Sequence, residues 1–136
     1  MEKAQEFRFE ELGEEREFSS SELQARADSN PLQDGRKQYL VKLGDREAAY
    51  LSFDVFLPDE VNLYEVFVAR ELRNRGAGSA CIQFAIELTK KLGKSKLTVR
   101  PKPLSEQSKG DLIAWYMRHG FTPMADEPRL LEIVLT

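Results

Sequence analysis

The chain has 136 residues, of which 41% are hydrophobic and 32% charged, which are the size and balance of one globular domain. The single cysteine, Cys81, excludes an internal disulfide and a cysteine-based metal cluster, and the single histidine, His119, excludes two-histidine zinc sites, so we expect no metal. No apolar run is long enough to span a membrane and the first residues lack a signal-peptide pattern, which predicts a soluble, cytoplasmic protein in a reducing compartment.

The two halves of the chain differ in charge. The overall net charge is −3, but residues 1–68 carry −8 and residues 69–136 carry +5. Two interpretations are open: an anionic ligand bound by the second half, or a scatter of solvated surface charge. The negative total argues against a broad basic surface, so we expect no nucleic-acid partner.

The first half of the chain has the pattern of short strands around one short helix. Residues 7–12 predict a strand, and Ser19 with Glu22 predicts a helix through Ala27. Alternating apolar residues then predict a hairpin, with strands over 39–43 and 51–57 joined at Gly44-Asp45. A further strand, over 63–69, is dense in β-formers.

The hydrophobic period then changes to that of a helix, over 78–92, before a short strand over 96–100. This strand–helix–strand unit predicts a parallel, right-handed crossover. Ser108 and Asp111 have the spacing of a helix cap, the helix ends near Gly120, and residues 131–135 form a last strand. Without repeats or linkers, we expect one α+β domain over 1–136: a mostly antiparallel sheet of six or seven strands, flanked by helices, with one βαβ crossover.

The segment between the 63–69 strand and the following helix is the most informative. It reads Arg73-Asn74-Arg75-Gly76-Ala77-Gly78-Ser79. Its glycines allow a sharp turn, and the first amides of the helix have no internal acceptor, so the segment predicts a phosphate site. A P-loop is excluded because no Gly-Lys-Ser/Thr follows, and the dinucleotide fingerprint because Cys81 stands at its third glycine. The alternative is a tight turn without a ligand.

Two motifs together resemble the GNAT N-acetyltransferase superfamily. Val66-x-Val68 followed by Arg73-x-x-Gly76-x-Gly78 looks like its acyl-coenzyme A signature. Tyr116-x-x-x-Gly120-Phe121 resembles the element formed by its last helix and the next strand. The order of elements also matches, so the resemblance covers nearly the whole chain.

The resemblance implies that acetyl-CoA is the acyl donor and that an amine attacks it directly, without an acyl-enzyme. The pyrophosphate of the donor would bind the amides from Arg73 to Ser79. Its pantetheine arm would run beside Val66, Phe67 and Val68, in a cleft where two strands part, and a backbone amide near Val68 would polarise the thioester carbonyl.

The resemblance also implies two proton-transfer groups. Tyr116 matches the family's general acid for the departing thiolate; the alternative is a core tyrosine beside Trp115. Glu65 is the carboxylate of the cofactor strand and a candidate base, although it alternates with Val66 and Val68 and so faces the other side unless a bulge intervenes. The alternative for Glu65 is a solvated or paired carboxylate.

One departure from the family pattern leaves a second function open. Lys109 stands where many members carry an asparagine. A non-catalytic acyl-CoA-binding regulatory domain is therefore the alternative to an enzyme. The acceptor would be an amine of a small molecule or a protein, and the acidic first half favours a cationic one. We expect a monomer or a homodimer.

Overall fold

Seven strands form one sheet in the computed structural model, which describes residues 6–103 and 108–135. Along the sheet the order is β1-β2-β3-β4-β5-β7-β6, and every neighbouring pair is antiparallel except β4 with β5. The strands are β1 (Phe7–Glu11), β2 (Arg36–Leu43), β3 (Arg46–Asp54), β4 (Glu60–Val68), β5 (Lys96–Val99), β6 (Thr122–Pro123) and β7 (Leu131–Val134).

Three α-helices cover the sheet: α1 (Ser21–Asp28), α2 (Ala77–Lys91) and α3 (Lys109–Arg118). The main core lies between one face of the sheet and α2, and it includes Tyr116 of α3. A smaller core on the other face joins Leu23 and Ala27 of α1 to Phe67 of β4. The expected α+β class, the mostly antiparallel sheet and the single βαβ crossover are confirmed.

The start of α1 differs by one residue from the prediction. Ser20, not Ser19, caps the helix, and its hydroxyl accepts from the amide of Leu23 at 3.2 Å. The reason lies in a distant contact: the carboxylate of Glu47 accepts from the amides of both serines, so Glu22 is not needed in a capping box. The second predicted cap is confirmed, because the Ser108 hydroxyl accepts from the Asp111 amide at 3.0 Å.

Two further differences concern strands. β3 ends at Asp54, whereas the alternation predicted a strand to residue 57. The sequence did not predict β6 (Thr122–Pro123), because two residues are too few to show an alternating pattern. Residues 104–107, which precede α3 in the sequence, lie outside the described residues. Among the described residues, no helix has the length and apolar character needed to cross a bilayer.

Candidate active site

A cleft opens where β4 and β5 part. The two strands pair only over Glu60–Leu63 and Lys96–Val99, and β4 then continues to Val68 without β5 beside it. The cleft has a volume of about 500 Å³. Side chains from both faces of the sheet line it, because it passes between separated strands. Its position therefore agrees with the expected gap for an extended acyl-carrying arm.

A β-bulge at Tyr64 decides which side chains of β4 face each way. Phe53 pairs with Leu63 and Ser52 pairs with Glu65, which leaves Tyr64 as the extra residue. After the bulge, Val66 and Val68 pack against the main core. Phe67 packs with α1 on the opposite face, and Glu65, two residues before it, lies on that same face. The bulge precedes Glu65, so Glu65 still faces away from Val66 and Val68.

The free edge of β4 presents backbone groups to the cleft. The Ala69 amide donates to the Ala48 carbonyl at 2.8 Å. Because hydrogen-bonded pairs alternate along antiparallel strands, the amides and carbonyls of Val66 and Val68 point away from β3 and toward the cleft. Arg73 already uses this edge, since its Nε donates to the Val68 carbonyl at 3.1 Å.

The segment between β4 and α2 offers free amides at the end of the cleft. Asn74 (φ 65°) and Gly76 (φ 89°) are both left-handed, and they turn the chain into the helix. The first intrahelical bond runs from the Ala80 amide to the Gly76 carbonyl, so the amides of Ala77, Gly78 and Ser79 have no acceptor within α2. Together with the positive end of the helix dipole, these amides suit a phosphate group.

The two glycines of the segment are needed for different structural reasons. Gly76 supplies the left-handed backbone, and a Cβ there would meet nothing within 4 Å. Gly78 has a negative φ, but a Cβ on it would lie 2.7 Å from Cζ2 of Trp115. The close approach of α2 to α3, which forms one wall of the cleft, therefore requires a glycine at this position.

His119 links α3 to the same segment. Its Nδ1 lies 2.8 Å from the Trp115 carbonyl, which can only accept, so Nδ1 carries the hydrogen. In the neutral imidazole, Nε2 then accepts from the hydroxyl of Ser79 at 3.0 Å. The sequence could not indicate this contact, because the two residues are 40 positions apart.

Tyr116 lies at the inner end of the cleft and is 5% exposed. Burial, and secondarily the charge of Glu65, raise the pKa of its phenol well above the usual value. The phenol therefore remains protonated at neutral pH. Trp115 contacts it edge to face, with ring centroids 5.0 Å apart.

Glu65 also lines the cleft, but it is paired. Its carboxylate accepts from Nε and Nη2 of Arg26 at 2.6 and 3.0 Å. The hydrogen bond to Glu65 raises the pKa of Arg26. The side chains are 30% exposed for Arg26 and 14% for Glu65, so a molecule in the cleft can reach the pair.

The structure gathers most of the candidate residues around one cleft. Lining it are Glu65, Val66, Phe67, Val68, Arg73, Asn74, Gly78 and Tyr116. Arg75, Gly76, Ala77 and Ser79 belong to the adjoining segment rather than to the lining, and Ala77 is buried. Nothing in the sequence indicated that Arg26, Tyr64 or Arg118 line the cleft. Arg26 carried no signal, because it is 39 residues from Glu65 and on a helix of ordinary pattern.

Cys81 is not part of the cleft lining. It is 1% exposed in the main core, and burial raises the pKa of its thiol to about 12. A packing role fits this environment better than a nucleophilic one. No group of three or more His, Cys, Asp or Glu residues that could hold a metal occurs in the part of the chain that the structure describes.

The sequence profile of the Acetyltransferase (GNAT) family matches residues 2–121. The chain belongs to this family. This match confirms the resemblance to the GNAT family that the two motifs indicated. The name of the family describes acyl transfer. A comparison with curated proteins gives no match.

Solved GNAT structures share the fold across nearly the whole chain. An acetyltransferase from Elizabethkingia anophelis with acetyl-CoA bound has a TM-score of 0.68 at 16% identity, covering 95% of this chain and 98% of its own. An IAA acetyltransferase from Bacillus cereus has a TM-score of 0.72 at 20% identity, with coverages of 96% and 100%. A Bacillus subtilis acetyltransferase in complex with CoA has a TM-score of 0.69 at 20% identity, with coverages of 96% and 98%.

Proposed function

We propose that this GNAT-family protein is an N-acetyltransferase that moves the acetyl group of acetyl-CoA directly to an amine. The observation that carries the proposal is the cleft between β4 and β5, which is lined by residues from both faces of the sheet and adjoins the segment Arg73–Ser79. Two solved relatives hold acetyl-CoA or CoA, which supports the same donor here.

The donor would enter from the face that carries α2 and α3. Its pyrophosphate would accept hydrogen bonds from the free amides at the start of α2, and its arm would pair with the cleft-facing backbone of Val66 and Val68. The amide of Val68 would donate to the thioester oxygen and stabilise the negative charge that develops there. The acceptor would enter from the face that carries α1, where Glu65 and Phe67 lie.

The reaction would be one displacement at the thioester carbon. The lone pair of the amine forms the new C–N bond, the C–S bond breaks, and the sulfur leaves as a thiolate. The nitrogen loses one proton, and the thiolate gains one. The products are an N-acetyl amide and the free thiol of CoA, with no covalent intermediate on the protein.

Tyr116 would supply the proton to the thiolate. Its phenol lines the cleft and keeps its proton at neutral pH, because burial and the charge of Glu65 raise its pKa. A thiolate formed in a poorly solvated cleft is a strong acceptor, so a buried phenol suits the transfer. Because the protonated phenol is neutral, it adds no charge to the cleft before the substrates bind.

Glu65 would receive the amine. With no acceptor present its carboxylate is bound to Arg26, and the ammonium form of the acceptor would compete with Arg26 for it. Glu65 would then orient the amine and take its proton, directly or through a water molecule. Arg26 holds the carboxylate in place until the amine displaces it.

The test is the release of free CoA thiol from acetyl-CoA with a broad panel of amines. We expect turnover with at least one amine and a loss of about a hundredfold or more in kcat for Tyr116→Phe, with little change in the affinity for acetyl-CoA. Tyr39→Phe removes a buried hydroxyl outside the cleft and serves as the control.

The alternative, a regulatory domain that binds acyl-CoA without catalysis, remains supported by Lys109 in place of the usual asparagine. It predicts that acetyl-CoA binds while no amine supports thiol release. It also predicts that Tyr116→Phe changes nothing but stability. That pair of results would overturn the enzyme proposal.

A further inference from the structure

We infer that the acceptor is a small amine that also carries an anionic group, a carboxylate or a phosphate, close to its nitrogen. The inference rests on the proposed function and names the substrate class of the same cleft. Its basis is the Arg26–Glu65 pair on the acceptor face, which offers one positive and one negative group side by side.

Arg26 has donors left after binding Glu65. Nε and Nη2 are used by the carboxylate, and among the described residues no hydrogen bond uses Nη1. An anion in the cleft can therefore bind Arg26 without breaking the pair. A guanidinium is well suited to this, because its donors are fixed in one plane and match the oxygens of a carboxylate or phosphate.

A second arginine of the cleft lining packs on the same aromatic ring as Arg26. The guanidinium carbons of Arg26 and Arg73 lie 5.8 and 5.6 Å from the centre of the same Phe67 ring. Arg73 uses its Nε for the Val68 carbonyl, and both of its terminal nitrogens are without a hydrogen bond in the described part of the chain. The cleft lining therefore contains guanidinium donors of two arginines that no described residue uses.

The cleft lining as a whole carries a net positive charge. It contains five cations and two carboxylates, namely Arg26, Arg73, Arg100, Lys102 and Arg118 against Glu65 and Asp111. The phosphates of the acyl donor account for part of this charge, but Arg26 lies on the face away from α2, beside Glu65. A polycation would meet repulsion here, whereas an acceptor with its own negative charge would not.

The acidic first half of the sequence pointed to a cationic acceptor, and the cleft lining points the other way. The reason is that several acidic residues of the first half are bound by partners outside the cleft. Basic side chains or backbone amides outside the cleft lining hold Glu10, Glu11, Glu22, Glu47 and Asp54. The charge of a chain segment therefore does not describe the charge of its cleft.

The complement of a paired arginine and glutamate is an ammonium beside an anion. Glu65 would bind the nitrogen, and Arg26 the anion, so both groups must fit within one small molecule. Free amino acids have this arrangement, and so do short amino phosphates. A lysine side chain of a protein lacks it.

The test compares matched amines with and without the anion. Thiol release is measured for glycine, leucine and phenylalanine against their amides, for phosphoethanolamine against ethanolamine, and for spermidine. We expect kcat/KM to be at least about tenfold higher for the anionic member of each pair that reacts. Equal rates within the pairs, or spermidine as the best acceptor, would overturn the inference while leaving the acetyltransferase intact.

Arg26→Gln tests the assignment to a residue. We expect the ratio of kcat/KM between anionic and amide members to fall to near one. Arg46→Gln removes an arginine that is paired with Glu71 outside the cleft, and it should leave the ratio unchanged. An unchanged ratio in Arg26→Gln would overturn the inference.

A binding measurement separates this inference from the failure of catalysis. If no amine supports thiol release, the proposed function fails. Thermal melts of the CoA-saturated protein with the same pairs of amines then test whether the cleft binds the anionic members. Stabilisation by the anionic members that is lost in Arg26→Gln would keep the inference. Absence of stabilisation by every anionic amine would overturn it.

Discussion

Glu65 and Arg26 form a two-point ion pair between β4 and α1, with N–O distances of 2.6 and 3.0 Å. It joins the short helix that covers the second core to the strand that lines the cleft. Neither side chain is fully buried, so the pair can be reached by a ligand while it also holds two elements together. The residues proposed to bind the acceptor therefore also join α1 to β4.

This pair should contribute measurably to stability. In a cycle of Arg26→Gln, Glu65→Gln and the double variant, measured by urea unfolding, we expect a coupling free energy of about 1 kcal/mol. The value lies above that of a fully exposed pair because both partners are partly desolvated, and each single variant leaves the other charge without its partner. A coupling free energy near zero would contradict the contact.

The role of Gly78 predicts a specific steric effect. Gly78→Ala would place a Cβ 2.7 Å from the Trp115 ring, so we expect a loss of about 1–3 kcal/mol in the free energy of unfolding. Gly110→Ala, on α3, meets nothing within 4 Å and should leave stability unchanged or raise it by up to about 1 kcal/mol. Equal effects of the two substitutions would show that α2 and α3 do not approach as described.

Cys81 should be inert in the folded protein. Burial raises the pKa of its thiol to about 12, so the reactive thiolate is only about one part in ten thousand at pH 8. We expect almost no reaction with a disulfide reagent up to pH 10, and one equivalent after denaturation. A rapid reaction of Cys81 with the reagent in the folded protein would contradict its buried position. Such a reaction would also add to the signal of the thiol-release assays.

His119 should have one defined tautomer. Because Nδ1 donates to the Trp115 carbonyl, nitrogen NMR of the neutral imidazole should show the hydrogen on Nδ1, and the chain has no other histidine to confuse the spectrum. Ser79→Ala should keep this tautomer and lower the free energy of unfolding by about 0.5–1.5 kcal/mol. A hydrogen on Nε2 alone would contradict the hydrogen bond from Nδ1 to the Trp115 carbonyl, since the Ser79 hydroxyl can accept as well as donate.

Local signals predicted the elements that carry the motifs. The change from a two-residue to a helical period marked β4 and α2, the glycine-containing segment marked the amides at the helix start, and Ser108 marked the start of α3. Each of these depends on neighbours within a few residues, so the sequence reveals them directly.

Distant contacts could not be predicted in the same way. The bulge at Tyr64 has no residue signal, and the partners Arg26 and Glu47 are far along the chain from Glu65 and Ser20. Such contacts depend on how the sheet brings α1 against β4. As a result, the sequence predicted the elements on the α2 side of the cleft better than the contacts on its α1 side.

Acetyl-CoA should bind at the start of α2, and a thermal melt with and without acetyl-CoA detects this binding. At about 100 times the dissociation constant, the ligand should add roughly 2.7 kcal/mol and raise the Tm by several degrees. Gly76→Asp adds a carboxylate beside the free amides and should abolish this shift. Gly44→Asp is the matched control, since Gly44 is also left-handed with no Cβ contact but lies in the β2–β3 turn, and the shift should persist. No shift in the wild type, or an undiminished shift in Gly76→Asp, would contradict the account.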